Sequence, residues 1–165
     1  MKHKVICVSY GKGGHQEQMK RLLTLLSASI PDDIKLIVFT DSEHELNTSI
    51  KIQSSFLYPE ARDKYSSWRT LSNIPKLFFY QIRDVILINR KYNVVGYVAT
   101  GPGVSILPAL LFKLMKVKVI GFESWSRFYQ KSYTGKILYL ISDMFFVQNK
   151  SLLRVYKNAA YKGRL

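Results

Sequence analysis

Apolar and polar positions fall into blocks along the chain, and the period inside the blocks switches repeatedly between strand and helix. Val5–Ser9 is a short β-branched run that stops at glycines, which predicts a buried strand. From His15 to Ser29, Met19, Leu22, Leu23 and Leu26 recur at helical spacing. Lys35–Thr40 predicts a second strand, Ile50–Gln53 a weak third, and Pro59–Ser72 a polar loop. Thr70–Lys91 predicts a long helix whose core stripe is Ile74, Leu77, Phe78, Ile82, Val85 and Ile88. Strand Val94–Ala99, helix Val104–Met115, strand Val117–Phe122, helix Gly135–Ser142, strand Met144–Gln148 and helix Ser151–Asn158 complete the pattern. This rhythm predicts an α/β, Rossmann-like, doubly wound parallel sheet with helices on both faces. No internal repeat or linker interrupts it, so residues 1–165 read as one domain.

Composition narrows the class. Apolar residues make up 47% and charged residues 22%, which excludes a mainly disordered chain. Cys7 is the lone cysteine, so there is no disulfide framework and no cysteine-based zinc site, and a reducing, cytoplasm-facing location is expected. The histidines His3, His15 and His44 have no metal-ligand spacing, and neither a metal nor a cofactor is expected. The longest apolar stretch, Val104–Met115, is interrupted by Pro108 and Lys113 and falls short of the roughly 20 residues a spanning helix needs. No secretory signal pattern is legible, and the expectation is a soluble or peripheral chain.

Charge changes the picture. There are 25 Lys and Arg against 11 Asp and Glu, a formal net charge of +14, with 11 Tyr, 9 Phe and 2 Trp. Such a chain suits a polyanion: single-stranded nucleic acid, an anionic membrane face or a phosphorylated substrate. The Thr70–Lys91 helix helps choose. Opposite its core stripe it carries Phe79, Tyr80, Ile86 and Leu87 beside Lys76, Arg83 and Arg90. Apolar residues between cations describe a membrane-surface face or a face buried against a partner. Arg62, Lys64 and Arg69 precede it, and no acid follows Asp143 in the basic C-terminal stretch.

Three loops at predicted strand ends carry candidate chemistry. Ser9-Tyr10-Gly11-Lys12-Gly13-Gly14-His15 joins the first strand to the first helix. Glycines there let backbone N–H groups approach an anion at a helix N-terminus. Gln16 replaces the last glycine of a dinucleotide fingerprint, and no Gly-Lys-Ser/Thr follows for a Walker loop. His15 is placed to act as a general base or as a neutral donor to phosphate. Thr100-Gly101-Pro102-Gly103 repeats the arrangement after the fourth strand, and two such loops on one edge suit a diphosphate. Glu123-Ser124-Trp125-Ser126-Arg127 follows the fifth strand. There Glu123 can bind sugar hydroxyls or act as a base, and Arg127 can bind phosphate or carboxylate. Each loop taken alone also reads as a plain turn or a salt-bridged surface loop.

Taken in order, Ser9-x-Gly11-x-Gly13-Gly14-His15 with Glu17 and Met19, Thr100-Gly101-Pro102-Gly103 with Pro108, Glu123-Ser124-x-x-Arg127, Thr134-Gly135-Lys136-x-x-Tyr139 and Asp143-x-Phe145-x-Val147-Gln148 resemble the PssD-type subunits of bacterial polysaccharide glycosyltransferases. The same motifs are similar to the membrane-anchor subunit of the eukaryotic split enzyme that adds the second N-acetylglucosamine to dolichol diphosphate, and to the N-terminal half of MurG. The likeness is weakest from about residue 41 to 70, and Asn149 stands where the family often has Trp.

The resemblance implies the acceptor-side half of a GT-B glycosyltransferase split over two chains. A small PssE-like protein would bind the UDP-sugar, and the pair would extend a polyprenyl-diphosphate-linked saccharide in capsule or exopolysaccharide synthesis. It would act with inversion, without an obligatory metal, at the cytoplasmic face of the membrane. Gly11, Gly13, Gly14 and His15 would approach the acceptor, Thr100, Gly101 and Gly103 would form the second loop, and Glu123, Ser124 and Arg127 would line the cleft. The base is open among His15, Glu123 and a partner residue. Three other readings stand beside this one: a non-catalytic membrane scaffold for a catalytic partner, a single-stranded nucleic-acid-binding domain, and a stand-alone enzyme. The glycine loops argue against the nucleic-acid reading, and the lack of a second αβ half argues against the stand-alone one.

Overall fold

The computed structural model describes residues 2–59 and 67–165, with the side chains of 67–74 excepted. Arg62 and Lys64 lie outside the described residues, as do the side chains of Arg69 and Ile74. Strands β1 (Lys4–Tyr10), β2 (Lys35–Thr40), β3 (Ile52–Leu57), β4 (Asn93–Ala99), β5 (Val119–Phe122), β6 (Met144–Val147) and β7 (Ala160–Tyr161) form one seven-stranded sheet. Its order is β3-β2-β1-β4-β5-β6-β7, and every pairing is parallel. Helices α1 (Gly14–Leu26), α2 (Ser67–Lys91), α3 (Ile106–Leu114) and α4 (Tyr133–Ile141) make the crossovers.

Parallel strands are normally covered on both faces, and here the two faces are covered unequally. Cys7, Ile37, Phe39, Tyr97, Val119 and Phe145 pack under α2, α3 and α4 through Leu77, Val85, Phe112 and Leu138. Val8, Leu36 and Val38 on the other face pack under α1 through Met19, Leu22 and Leu23. Beyond α1 on that face, Val98, Ile120 and Phe146 are only half-buried and floor an apolar groove of about 350 Å3, rimmed by Leu25, Leu26 and Leu165. No helix among the described residues is long and apolar enough to cross a membrane.

Several expected boundaries move. The third strand is Ile52–Leu57 rather than Ile50–Gln53; it is an edge strand of exposed and half-buried residues, with Phe56 stacked on Phe39, its register partner. The last predicted helix is instead a 3-10 turn, Lys150–Arg154, followed by the short strand β7, which pairs with Phe146 and Val147. The segment 104–115 divides into a 3-10 turn, Gly103–Ser105, and α3.

Helix α2 starts at Ser67, inside the stretch read as loop; Trp68, Leu71 and Ile74 already recur three residues apart in the sequence there. Its core face is also rotated. Leu77, Gln81, Asp84, Val85 and Ile88 are buried, whereas Phe78 and Ile82 are 46% and 40% exposed. The cause is that both sides of the helix are apolar, so periodicity alone cannot orient it. Buried polar groups do so instead: Gln81 Nε2 donates to the Val104 carbonyl at 2.7 Å, and Asp84 accepts from Tyr58 OH at 3.0 Å.

Candidate functional site

The chain runs outward in opposite directions from β1 and β4, so the crevice at their carboxyl ends is the topological switch point, where ligands bind in open α/β sheets. Three loops meet there. The loop after β1 passes so close to the loop after β4 that a Cβ on Gly11 would collide with the Pro102 ring and come within 2.8 Å of Asp41 Oδ1. Gly13, at φ 68°, turns the chain into α1, with open space where a side chain would be. Gly14 lies under Trp125, whose Nε1 is 3.0 Å from where a Cβ would stand. Gly101 takes φ 81° against the His15 ring, ahead of a cis Gly101–Pro102 peptide.

His15 and Thr100 lock these loops together. The Thr100 hydroxyl donates to the His15 carbonyl at 3.0 Å, and His15 Nδ1 lies 2.6 Å from the Thr100 carbonyl. A carbonyl only accepts, so Nδ1 carries the proton and Nε2 keeps its lone pair. Burial holds the imidazole below its usual pKa, against the opposing pull of the Thr100 carbonyl and the carboxylates of Asp41 and Glu123. The ring is therefore neutral at pH 7.

His15, Thr100 and Gly101 form one wall of a cleft of about 300 Å3, and Glu123, Ser124, Arg127 and the start of α4 form the other. Arg127 is exposed at the mouth, and its guanidinium makes no hydrogen bond or ion pair with another described residue. Glu123 is the opposite, at 1% exposed. One carboxylate oxygen accepts from Ser124 N (2.9 Å) and Ser132 Oγ (2.6 Å); the other accepts from Ser132 N (3.1 Å) and from Tyr156 OH. Burial and the Glu123 carboxylate push the Tyr156 phenol upward. Ser132 also caps α4, accepting from Gly135 N at 2.8 Å.

The structure thus brings His15, Thr100, Gly101, Glu123, Ser124 and Arg127 to one cleft. Gly11 and Gly14 lie behind its walls, and Gly103 opens the 3-10 turn beyond it. Sequence reasoning missed Gln18, Ser132 and Tyr156. Gln18 is fully buried and donates to the Glu123 carbonyl at 3.0 Å, joining α1 to the loop after β5. Its signal was a polar residue beside Met19 on the apolar side of a helix. Tyr156 left no signal. Asn149 holds the same loop, its amide donating to the carbonyls of Trp125 (3.1 Å) and Arg127 (2.5 Å).

The helix face singled out in the sequence is exposed. Phe79, Tyr80, Ile86 and Leu87 show 67%, 42%, 37% and 54% of their surface, with Phe78 and Ile82 beside them. Lys76 and Arg90 are exposed too. Arg83 is not a free cation, because it pairs with buried Asp84 at 2.8 Å and stacks on Tyr80.

Residues 6–165 match the family described as "Oligosaccharide biosynthesis protein Alg14 like". The chain belongs to the Alg14 family. It is 30% identical over 190 aligned positions to the UDP-N-acetylglucosamine transferase subunit ALG14 of Kluyveromyces lactis, covering 100% of this chain and 80% of that protein. Its identity to the human subunit of the same name is 29%, covering 97% and 82%. Among solved structures, Acinetobacter baumannii MurG superposes with a TM-score of 0.62 at 12% identity. The UDP complex of Staphylococcus aureus MnaA superposes with a TM-score of 0.65 at 15% identity. Each match covers 98% of this chain but 44% of the larger one, so this Alg14-family chain has the fold of one half of those proteins.

Proposed function

We propose that this chain is the acceptor-binding, membrane-associating subunit of a two-chain inverting glycosyltransferase. It would act on N-acetylglucosamine delivered as UDP-N-acetylglucosamine, the donor named for its relatives. The acceptor is a polyprenyl-diphosphate-linked saccharide on the cytoplasmic face of a membrane, of the kind used in capsule or exopolysaccharide assembly. Residues 1–165 form the acceptor-side unit, and a PssE-like chain binds the donor. The observation that carries the reading is a neutral His15 with a free Nε2, in a cleft whose other wall ends in an unpaired Arg127.

The chemistry follows from that cleft. The loop after β4 at Thr100 and Gly101, the start of α1 at His15, and Arg127 hold the acceptor diphosphate. An acceptor hydroxyl attacks the anomeric carbon, and the new C–O bond forms as the bond to UDP breaks, with inversion. His15 Nε2 takes the hydroxyl proton, and UDP leaves with the bonding electrons. Two surfaces support the remaining parts. The α2 face, apolar with Lys76 and Arg90 beside it, suits an anionic leaflet, where each nearby cation contributes about 1 kcal/mol. The apolar groove over Val98, Ile120 and Phe146 suits an apolar segment of the donor-binding chain, because a parallel sheet needs cover there.

The test is transfer of labelled N-acetylglucosamine to polyprenyl-diphosphate N-acetylglucosamine in membranes, by this chain alone and with its donor-binding partner. Transfer should require both chains, and His15→Ala should reduce it about 10²- to 10⁴-fold with assembly intact. The exposed α2 face equally suits a second reading, a non-catalytic scaffold that recruits the partner. Unchanged turnover in the His15 variant would select the scaffold; transfer by this chain alone would overturn both.

A further inference from the structure

We propose that Glu123 is a positioning residue whose buried carboxylate clamps the loop 124–131 so that Arg127 meets the acceptor diphosphate, and that it takes no proton in the reaction. The inference rests on reading the cleft as the acceptor site. A general base must offer a free lone pair to the substrate hydroxyl. An ionised carboxylate has about four lone-pair sites. Here Ser124 N, Ser132 Oγ, Ser132 N and Tyr156 OH fill them. The side chain is 1% exposed, and a Cβ on Gly135 would collide with Oε2. Nothing of the carboxylate is left to face a substrate.

The donors also show what the carboxylate does. Ser124 and Ser132 stand at the two ends of the loop, so one side chain closes it, while Tyr156 ties it to the segment after β6. Asn149 holds the middle through the carbonyls of Trp125 and Arg127, and Ser151 Oγ donates to the Phe128 carbonyl. Every one of these bonds engages backbone or buried groups. Among the described charged side chains of the loop, the Arg127 guanidinium lines the cleft without a hydrogen bond or ion pair. A loop held at both ends and through Trp125, Arg127 and Phe128, with the Arg127 guanidinium unpaired, is preorganised for a bidentate anion.

The test is a double-mutant cycle read by farnesyl diphosphate binding to the purified chain, using calorimetry. Arg127→Ala should weaken binding about tenfold, the loss of one charge-assisted contact. E123Q should weaken it by a similar factor, and E123Q combined with Arg127→Ala should be no weaker than Arg127→Ala alone, because one acts through the other. Full affinity in E123Q, independent effects in the double variant, or no binding by the unaltered chain would each overturn the proposal. Should E123Q fail to fold, Tyr156→Phe removes one donor, keeps the carboxylate and serves the same cycle. In the two-chain transfer assay, E123Q should raise the acceptor KM and leave the acidic limb of the pH profile in place. Lost kcat at unchanged KM, with that limb gone, would make Glu123 the base. Farnesyl diphosphate binding with the predicted cycle but no sugar transfer would refute the transferase reading and leave the clamp standing.

Discussion

The wall of the cleft formed by the loops after β1 and β4 and the wall formed by the loop after β5 reach the same space by different means. On the first, backbone meets backbone or ring because side chains are missing: Gly11 against Pro102, Gly101 against His15. On the second, a buried carboxylate gathers four donors from three places in the sequence. Steric closeness tolerates no added atom, whereas a hydrogen-bonded clamp tolerates no lost partner. The first wall is therefore vulnerable to enlargement, and the second both to enlargement and to isosteric changes that leave every contact distance alone.

Gly135 tests this contrast most severely, because it is a glycine belonging to the second wall. Gly135→Ala places a Cβ against Glu123 Oε2 and 2.7 Å from Ser132 Oγ, so it should destabilise the chain by about 2–3 kcal/mol in urea unfolding. A loss below about 0.5 kcal/mol would show that the clamp yields easily. Gly13→Ala comes next and isolates backbone conformation, since φ is 68° but nothing stands near the new methyl. It should cost about 1–2 kcal/mol for a sparsely populated backbone conformation, and a much larger loss would mean the first wall is more crowded than its neighbours indicate.

The smallest effect is in pH dependence. Burial lowers the His15 pKa in the folded chain below its ordinary value of 6.5, so below that value the unfolded chain binds more protons. Stability should then fall as pH drops from 6.5 toward the lowered folded pKa, and be fully present above 6.5. Urea titrations of His15→Asn should lose that component of the slope; an unchanged slope would place the titrating group elsewhere.

The two walls also differ in how legible they were. Glycine clusters between an apolar run and a helical pattern mark strand-end loops directly, and they led to His15, Gly101 and the carboxyl edge of the sheet. The clamp was legible only in its centre. Glu123 stood out after a strand, but Ser132 is nine positions away, Tyr156 thirty-three, and Gln18 a hundred and five. No local pattern encodes such contacts. The same limit rotated the core face of α2. Phe78 and Ile82 looked like core because periodicity counts apolar residues, while Gln81 and Asp84 won the interior through specific partners. Strand β7 was missed because two residues at a sheet edge carry no period at all.

The unequal covering of the sheet has a consequence for the life of the chain in a cell. A protein whose β4–β6 surface is half-wet gives up part of the burial that normally holds a parallel sheet together. If the donor-binding chain seats there, as proposed, stability would become a function of that chain's concentration, rising by about 2.7 kcal/mol when the partner is at a hundred times its Kd. Copies made in excess of the partner would unfold more often and be cleared by proteolysis. The stoichiometry of the pair would then be set by degradation of the surplus, without any need for matched synthesis.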